Sequence, residues 1–200
     1  DEAHYYLGRT AEDQQSWENA LMHYMQVQPG RDFGAATDRI ARLLLAAGRS
    51  AELAAWFDHL RKRYPSLSER LFAIEAEQDL RDIIARDPNN ATALNALGYT
   101  LTNKTDRYQE AEELISRALA LEPNEAAILD SMGWVKYRLG DLDAALRYLR
   151  RAYSLLPDPE VAAHLGEVLW VSGDPEAAMS LWNSVLADAP QHGVLLETMQ

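Results

Sequence analysis

The sequence predicts an all-α protein, a right-handed superhelical solenoid of stacked helical hairpins. Three observations carry that prediction. Glycines preceded by a large apolar residue recur at Gly98, Gly133 and Gly166, spaced 35 and 33 residues apart. That period of about 34 residues is the length of one two-helix repeat. Each glycine is followed, after a turn, by an alanine with apolar residues at helical spacing, at Ala111, Ala145 and Ala178. A proline then closes each unit, at Pro123, Pro157 and Pro190. Proline has no amide hydrogen to donate and cannot continue a helix.

Ala126–Pro157 is the clearest unit. Met132-Gly133 stand seven residues before Leu139-Gly140, and Ala145, Leu149 and Ala152 follow at helical spacing. Gly133 and Ala145 are small, which lets two antiparallel helices approach closely. Gly140 supplies the turn and Asp141 caps the second helix. The last unit, 159–190, repeats the pattern with Gly166, Gly173, Ala178, Trp182 and Pro190. Its Asp174-Pro175 is a cap followed by proline at the first helical position.

Upstream, residues 1–33 read as a first hairpin through Gly8, Trp17, Ala20, Tyr24 and Val27. Its second helix is short because Pro29-Gly30 comes early. Residues 34–66 read as a second, with a turn at Ala47-Gly48 and the small residue after it displaced to Ala54 or Ala55. Residues 67–90 do not fill a repeat: Ala91 stands only 23 residues after Ser68. About 11 residues are missing from a 34-residue period, or 11 plus a whole repeat. We expect a break in the chain between Glu77 and Gln78, with one continuous helix from about Ser68 to Arg86 as the alternative. Residues 91–125 resume the pattern with a turn, Thr102–Asp106, one residue longer than usual. Residues 191–200 read as the start of a further first helix. Asp1 is not the product of a start codon, so we expect a mature segment or a fragment.

Charge narrows the partners. The net charge is −12, and residues 159–200 hold six acidic groups and no Lys or Arg. A nucleic-acid binder needs clustered cations to displace counterions from phosphates, so no nucleic-acid partner is expected. An anionic membrane surface is disfavoured for the same reason, and no apolar run reaches the roughly 18 residues of a membrane span. No direct membrane insertion by this segment is expected. The chain has no Cys, which excludes disulfides, thiolate metal sites and a cysteine nucleophile.

These landmarks resemble the tetratricopeptide repeat (TPR) family over about 165 of the 200 residues. The resemblance implies a scaffold that binds peptides or protein surfaces. More narrowly, YMQVQPG and LNALGYTL resemble segments of large TPR lipoproteins of the Gram-negative outer membrane, including adaptors of a periplasmic carboxyl-terminal processing protease. That narrower resemblance implies a protease and its substrates as partners. It also implies a place on the periplasmic side of the outer membrane, with a lipid anchor upstream of Asp1. The family's carboxylate clamp needs Lys and Asn at the fifth and ninth first-helix positions. Here those pairs are Tyr5/Arg9, Asp38/Arg42, Asn95/Tyr99, Asp130/Trp134 and Ala163/Glu167, so no clamp is present.

No catalytic site is legible. The five histidines, His4, His23, His59, His164 and His192, show no i,i+4 pair and no HExxH. We read them as solvated or half-buried helix residues, with no metal or cofactor. There is no GxSxG and no glycine-rich phosphate loop. Asp58-His59 beside Arg61-Lys62-Arg63 is a solvated helix face, because consecutive residues do not share a face. The family's groove-facing positions mark a partner-binding set instead: Asn95, Tyr99, Asp130, Trp134, Tyr137, Arg138 and Trp170. Trp134 stands where a small polar residue is usual and reads as an exposed anchor whose loss leaves the fold unchanged. For Tyr137 and Trp170, packing on the neighbouring repeat weighs equally. The structural set is Gly98, Gly133, Gly140, Ala145, Ala152, Pro157, Gly166, Gly173, Ala178 and Pro190. The leading expectation is a non-enzymatic adaptor; the alternative is a spacer or oligomerisation arm of a larger superhelix.

Overall fold

The computed structural model describes residues 2–188 together with Gly193 and Thr198. Among those residues the fold is all-α, with eleven α-helices and one short 3-10 turn. The chain divides into two units, Asp1–Asp82 and Ile83–Gln200.

In the first unit α1 (Glu2–Asp13) packs on α2 (Trp17–Tyr24), and α3 (Phe33–Ala46) packs on both α2 and α4 (Ser50–Arg63). Ala20, Ile40, Ala41, Leu44 and Phe57 are fully buried at its centre. Tyr24 is buried with them, and its hydroxyl donates to Glu12 Oε2 at 2.5 Å while Arg39 pairs with the same carboxylate. Burial raises the Tyr24 pKa, and the Glu12 carboxylate raises it further. In the second hairpin Ala54 and Ala55 are exposed, contrary to the displaced small residue expected there. The inward position is Leu53, 6 % exposed. A shift of one residue turns a side chain through about 100° of helix, which carries Ala54 and Ala55 to solvent. After α4, Tyr64 is extended at φ −131° ahead of Pro65, which begins a 3-10 turn over Pro65–Leu67.

α5 (Ser68–Arg86) is a single helix of 19 residues. It runs through Glu77 and Gln78 without a break, the alternative to the interruption expected from the spacing. Both residues are buried: Gln78 Nε2 donates to Asp38 Oδ1 at 2.9 Å, and Arg81 pairs with Glu77 at 2.8 Å one turn on. The boundary between the two units falls inside this helix, between Asp82 and Ile83.

The second unit is three hairpins: α6 (Ala91–Lys104) with α7 (Tyr108–Leu121), α8 (Ala126–Arg138) with α9 (Leu142–Leu155), and α10 (Pro159–Val171) with α11 (Pro175–Asp188). Each second helix touches the next first helix, and first helices touch each other, α6 on α8 and α8 on α10. Each hairpin buries its apolar face against its neighbours, as stacked repeats do. Within the hairpins the glycines mark the closest approach. A Cβ on Gly133 would stand 2.5 Å from Leu149 Cγ and 3.2 Å from the Ala145 carbonyl oxygen. On Gly98 it would collide with Ile115, and on Gly166 with the Trp182 indole. Ala145, Ala152 and Ala178 are fully buried.

The turns follow helix-end chemistry. Gly140 takes φ +85°, its amide donating to Tyr137 O at 2.9 Å and the Asp141 amide to Lys136 O at 2.9 Å. This is the paired bond pattern that satisfies the last carbonyls of a helix. Asp141 then caps α9 by accepting from the Ala144 amide at 3.0 Å. Gln15 performs Gly140's role after α1 at φ +58°, the one positive φ outside glycine among the described residues. The α6–α7 turn begins later than expected, because Thr102, Asn103 and Lys104 remain helical. The Thr102 hydroxyl is buried and bonds the Gly98 carbonyl at 2.9 Å. α9 ends at Leu155, and Leu156 is extended at φ −140° before Pro157. Pro190 and the further helix expected at 191–200 lie outside the described residues, apart from Gly193 and Thr198. Among the described residues no helix is long and apolar enough to cross a membrane.

Replacing Gly133 by Ala should lower the unfolding free energy by about 2–3 kcal/mol through overpacking against Leu149. An unchanged denaturation midpoint would show that Leu149 yields at no cost. Gln15→Gly should instead stabilise the protein by about 1 kcal/mol, by removing the left-handed strain of a side chain; chemical denaturation measures both.

Candidate partner-binding cleft

First helices of three successive hairpins meet around a cleft of about 340 Å³. Asn95, Ala96 and Tyr99 of α6 line one side, and Ala127, Asp130 and Ser131 of α8 form the middle. Leu156, Asp158, Glu160 and Val161, around the start of α10, close it. Asn95 and Asp130 occupy the same repeat position, 35 residues apart, so the stacking that builds the solenoid also sets them side by side.

Behind the cleft lies a polar and aromatic cluster. Asp130 and His164 are each 7 % exposed. His164 Nδ1 lies 3.0 Å from both Asp130 carboxylate oxygens. A carboxylate can only accept, so the imidazole proton sits on Nδ1 and is donated to Asp130. The Trp134 indole stacks on the His164 ring, with centroids 4.3 Å apart, and lies 5.1 Å from Tyr137. Its Nε1 donates to Asn103 Oδ1 at 2.9 Å. Tyr99 donates to Glu160 Oε1 at 3.0 Å, reaching from the first hairpin of this unit to the third. Burial, joined by the Glu160 charge, pushes the Tyr99 pKa up to about 12. Burial likewise raises that of Tyr137, with Glu167 adding to it.

Of the seven residues expected to bind a partner, Asn95, Tyr99 and Asp130 line the cleft, and the other four do not. Trp134 is half-buried packing between α8 and α10 rather than a free anchor. Tyr137 packs against the α10–α11 core. The Arg138 guanidinium sits 4.7 Å over the Tyr108 ring, bonding the Tyr108 hydroxyl and, at 3.3 Å, the Thr102 carbonyl. It therefore braces the α6–α7 turn. Trp170, 51 % exposed, stacks on the buried Trp182 with centroids 6.1 Å apart.

His164 corrects the reading of the histidines as solvated or half-buried. One signal in the sequence could have found it: it stands 34 residues after Asp130, one repeat away and therefore on the adjoining helix. His4 and His23 also meet, with Nδ1 atoms 3.4 Å apart. Among the described residues no group of three or more His, Asp or Glu is placed to hold a metal ion. Asp58 pairs with Arg61 at 2.7 Å, and that guanidinium lowers its pKa; His59 is exposed.

The cleft is acidic and rich in acceptors. Asp130, Asp158 and Glu160 line it, and none of its lining residues is Lys or Arg. Asn95 Oδ1 is buried and has no hydrogen-bond partner, an arrangement that normally costs about 1–3 kcal/mol.

Comparison with known proteins agrees with this architecture. Two tetratricopeptide repeat family models match, over residues 89–158 and 131–193, together just over half of the chain. The chain is 42 % identical to TPR repeat-containing protein PA4667 of Pseudomonas aeruginosa, covering 84 % of this chain and 36 % of that protein. The chain thus spans about a third of that relative's length. The matching stretch is 213 residues long, yet 84 % of 200 residues is about 168, so about 45 of its positions have no counterpart here. Among solved structures, TTC0263 of Thermus thermophilus, a thermophilic TPR protein, superposes with a TM-score of 0.52 at 19 % identity, covering 99 % of this chain and 96 % of that one. PilW, a type IV pilus biogenesis factor, gives 0.54 at 16 % identity, covering 100 % and 98 %. At such identities these two show the fold alone.

Phenolate absorbance should reveal one tyrosine that ionises near pH 12 and is lost in Tyr99→Phe. The raised folded-state pKa favours the native state below the ordinary value of 10.0, and that contribution is lost as pH rises from 10.0 to about 12. Stability in that window should therefore fall less steeply in the Phe variant. Trp134→Ala should cost about 2 kcal/mol of stability, because the indole packs on His164; a melting temperature equal to the parent's would restore it as a surface anchor.

Proposed function

Because the chain belongs to the tetratricopeptide-repeat family, we propose that it is a non-enzymatic scaffold that holds a segment of a protein partner in the cleft of α6, α8 and α10. The observation that carries this reading is the convergence of three successive first helices on one concavity lined by the carboxylates of Asp130, Asp158 and Glu160, with an unsatisfied acceptor at Asn95 beside them. An extended segment brings a regular row of backbone and side-chain donors to such a surface. Its affinity comes from those bonds and from the apolar wall at Leu156 and Val161.

Narrower still, we propose that the partner is a carboxyl-terminal processing protease with its protein substrates, and that the chain acts on the periplasmic side of the outer membrane. The support is the likeness of YMQVQPG and LNALGYTL to outer-membrane TPR lipoproteins that serve such proteases. In this role the scaffold brings substrate and protease together and raises their effective concentration, with no chemistry of its own.

Ala127 is exposed and lines the cleft, so Ala127→Trp fills the site without disturbing the core. We expect this variant to keep its melting temperature and to lose capture of the protease and its acceleration of substrate cleavage in a reconstituted assay. Undiminished capture would place the partner on another face.

A further inference from the structure

We propose that the cleft selects one lysine or arginine side chain of the bound segment. This rests on reading the cleft as the partner-binding site, and it names the chemistry that the site recognises.

Several hydrogen-bond donors around the cleft are already used. The Tyr99 hydroxyl donates to Glu160 Oε1 at 3.0 Å. The Ser131 hydroxyl donates to the Ala127 carbonyl at 2.9 Å. His164 gives its Nδ1 proton to Asp130. The Glu160 amide, the first backbone donor of α10 because Pro159 has none, is covered as well: Asp158 Oδ1 accepts from it at 2.8 Å. This last bond places carboxylates over the positive end of the helix and removes the feature that would attract an anion. The charged groups that line the cleft are all carboxylates, those of Asp130, Asp158 and Glu160.

An anionic ligand would meet three carboxylates and no cation. A purely apolar one would strip water from those carboxylates without replacing its hydrogen bonds. A lysine or arginine head satisfies both demands, because it carries only donors and a positive charge. Its methylene stem has a wall to lie on, formed by Leu156, 54 % exposed, with Ala96 and Ala127. The volume, about 340 Å³, sits at the low end of binding pockets, about 300–1,000 Å³, and suits one long side chain rather than a folded segment. Charge over a longer range agrees: residues 159–200 carry six acidic groups and no Lys or Arg, so nothing in that stretch competes for the site.

The test is an amide-resolved NMR titration of the full chain. The probes are four acetylated, amidated alanine–serine hexapeptides, identical but for a central Lys, Arg, norleucine or Glu. We expect saturable shifts at the Asn95, Tyr99, Ala127 and Glu160 amides. The Lys and Arg peptides should bind about fivefold more tightly than the norleucine peptide, with Glu weakest. That preference should shrink in Glu160→Gln, an exposed position, and at high salt. A norleucine peptide that binds the cleft as tightly as the lysine peptide overturns the cation selection and leaves the cleft reading standing. If none of the four perturbs the cleft amides, the selection and the cleft reading fall together.

Discussion

Everything in the second unit depends on how closely the two helices of a hairpin approach. At that approach one helix has a glycine and the other a large side chain: Gly98 under Ile115, Gly133 under Leu149, Gly166 under Trp182. The first unit repeats the device with Gly8 under the Tyr24 ring. Because the glycine end offers no Cβ, the opposing helix can bring bulk of any shape, aliphatic or aromatic. The separation stays small enough for Ala111, Ala145 and Ala178 to be fully buried. A fixed hairpin thickness lets hairpins stack, and stacking brings first helices into contact.

That stacking converts sequence distance into spatial neighbourhood at one repeat per step. Asp130 meets His164 across 34 residues, and Trp134 meets Asn103 across 31. Lys136 pairs with Glu112 at 2.5 Å in the same manner. These polar links join repeats whose apolar faces alone would tolerate sliding, and they specify how one hairpin seats on the next. Asp130 has two roles in this scheme. It holds His164 behind the cleft, and its carboxylate contributes to the acidic lining in front.

α5 departs from the repeat period. Its 19 residues occupy the place where a 34-residue period calls for two helices and a turn. The relative from Pseudomonas aeruginosa carries about 45 positions without a counterpart here. A solenoid tolerates such a difference better than a closed fold does, because each repeat contacts only its neighbours. α5 is one continuous helix, with Leu71 and Gln78 turned inward.

The sequence by itself determined the fold class, the starts of the hairpins at Ala91, Ala126 and Pro159 and the residues at close approach. Glycine spacing, caps and prolines act locally and leave a periodic mark. It also placed Asn95, Tyr99 and Asp130 on one face, since that depends only on helical geometry and repeat length. Tertiary structure alone decided what the neighbouring repeat does to each side chain. Trp134 looks exposed on its own helix, but His164, one hairpin later, supplies the ring on which it stacks. Arg138 looks free, yet the turn of the preceding hairpin supplies the phenol and carbonyl that hold it. Leu53 takes the inward place that local spacing assigned to Ala54 or Ala55. In each case the deciding partner lies about one repeat or one helix away, and its position depends on packing that no local pattern encodes.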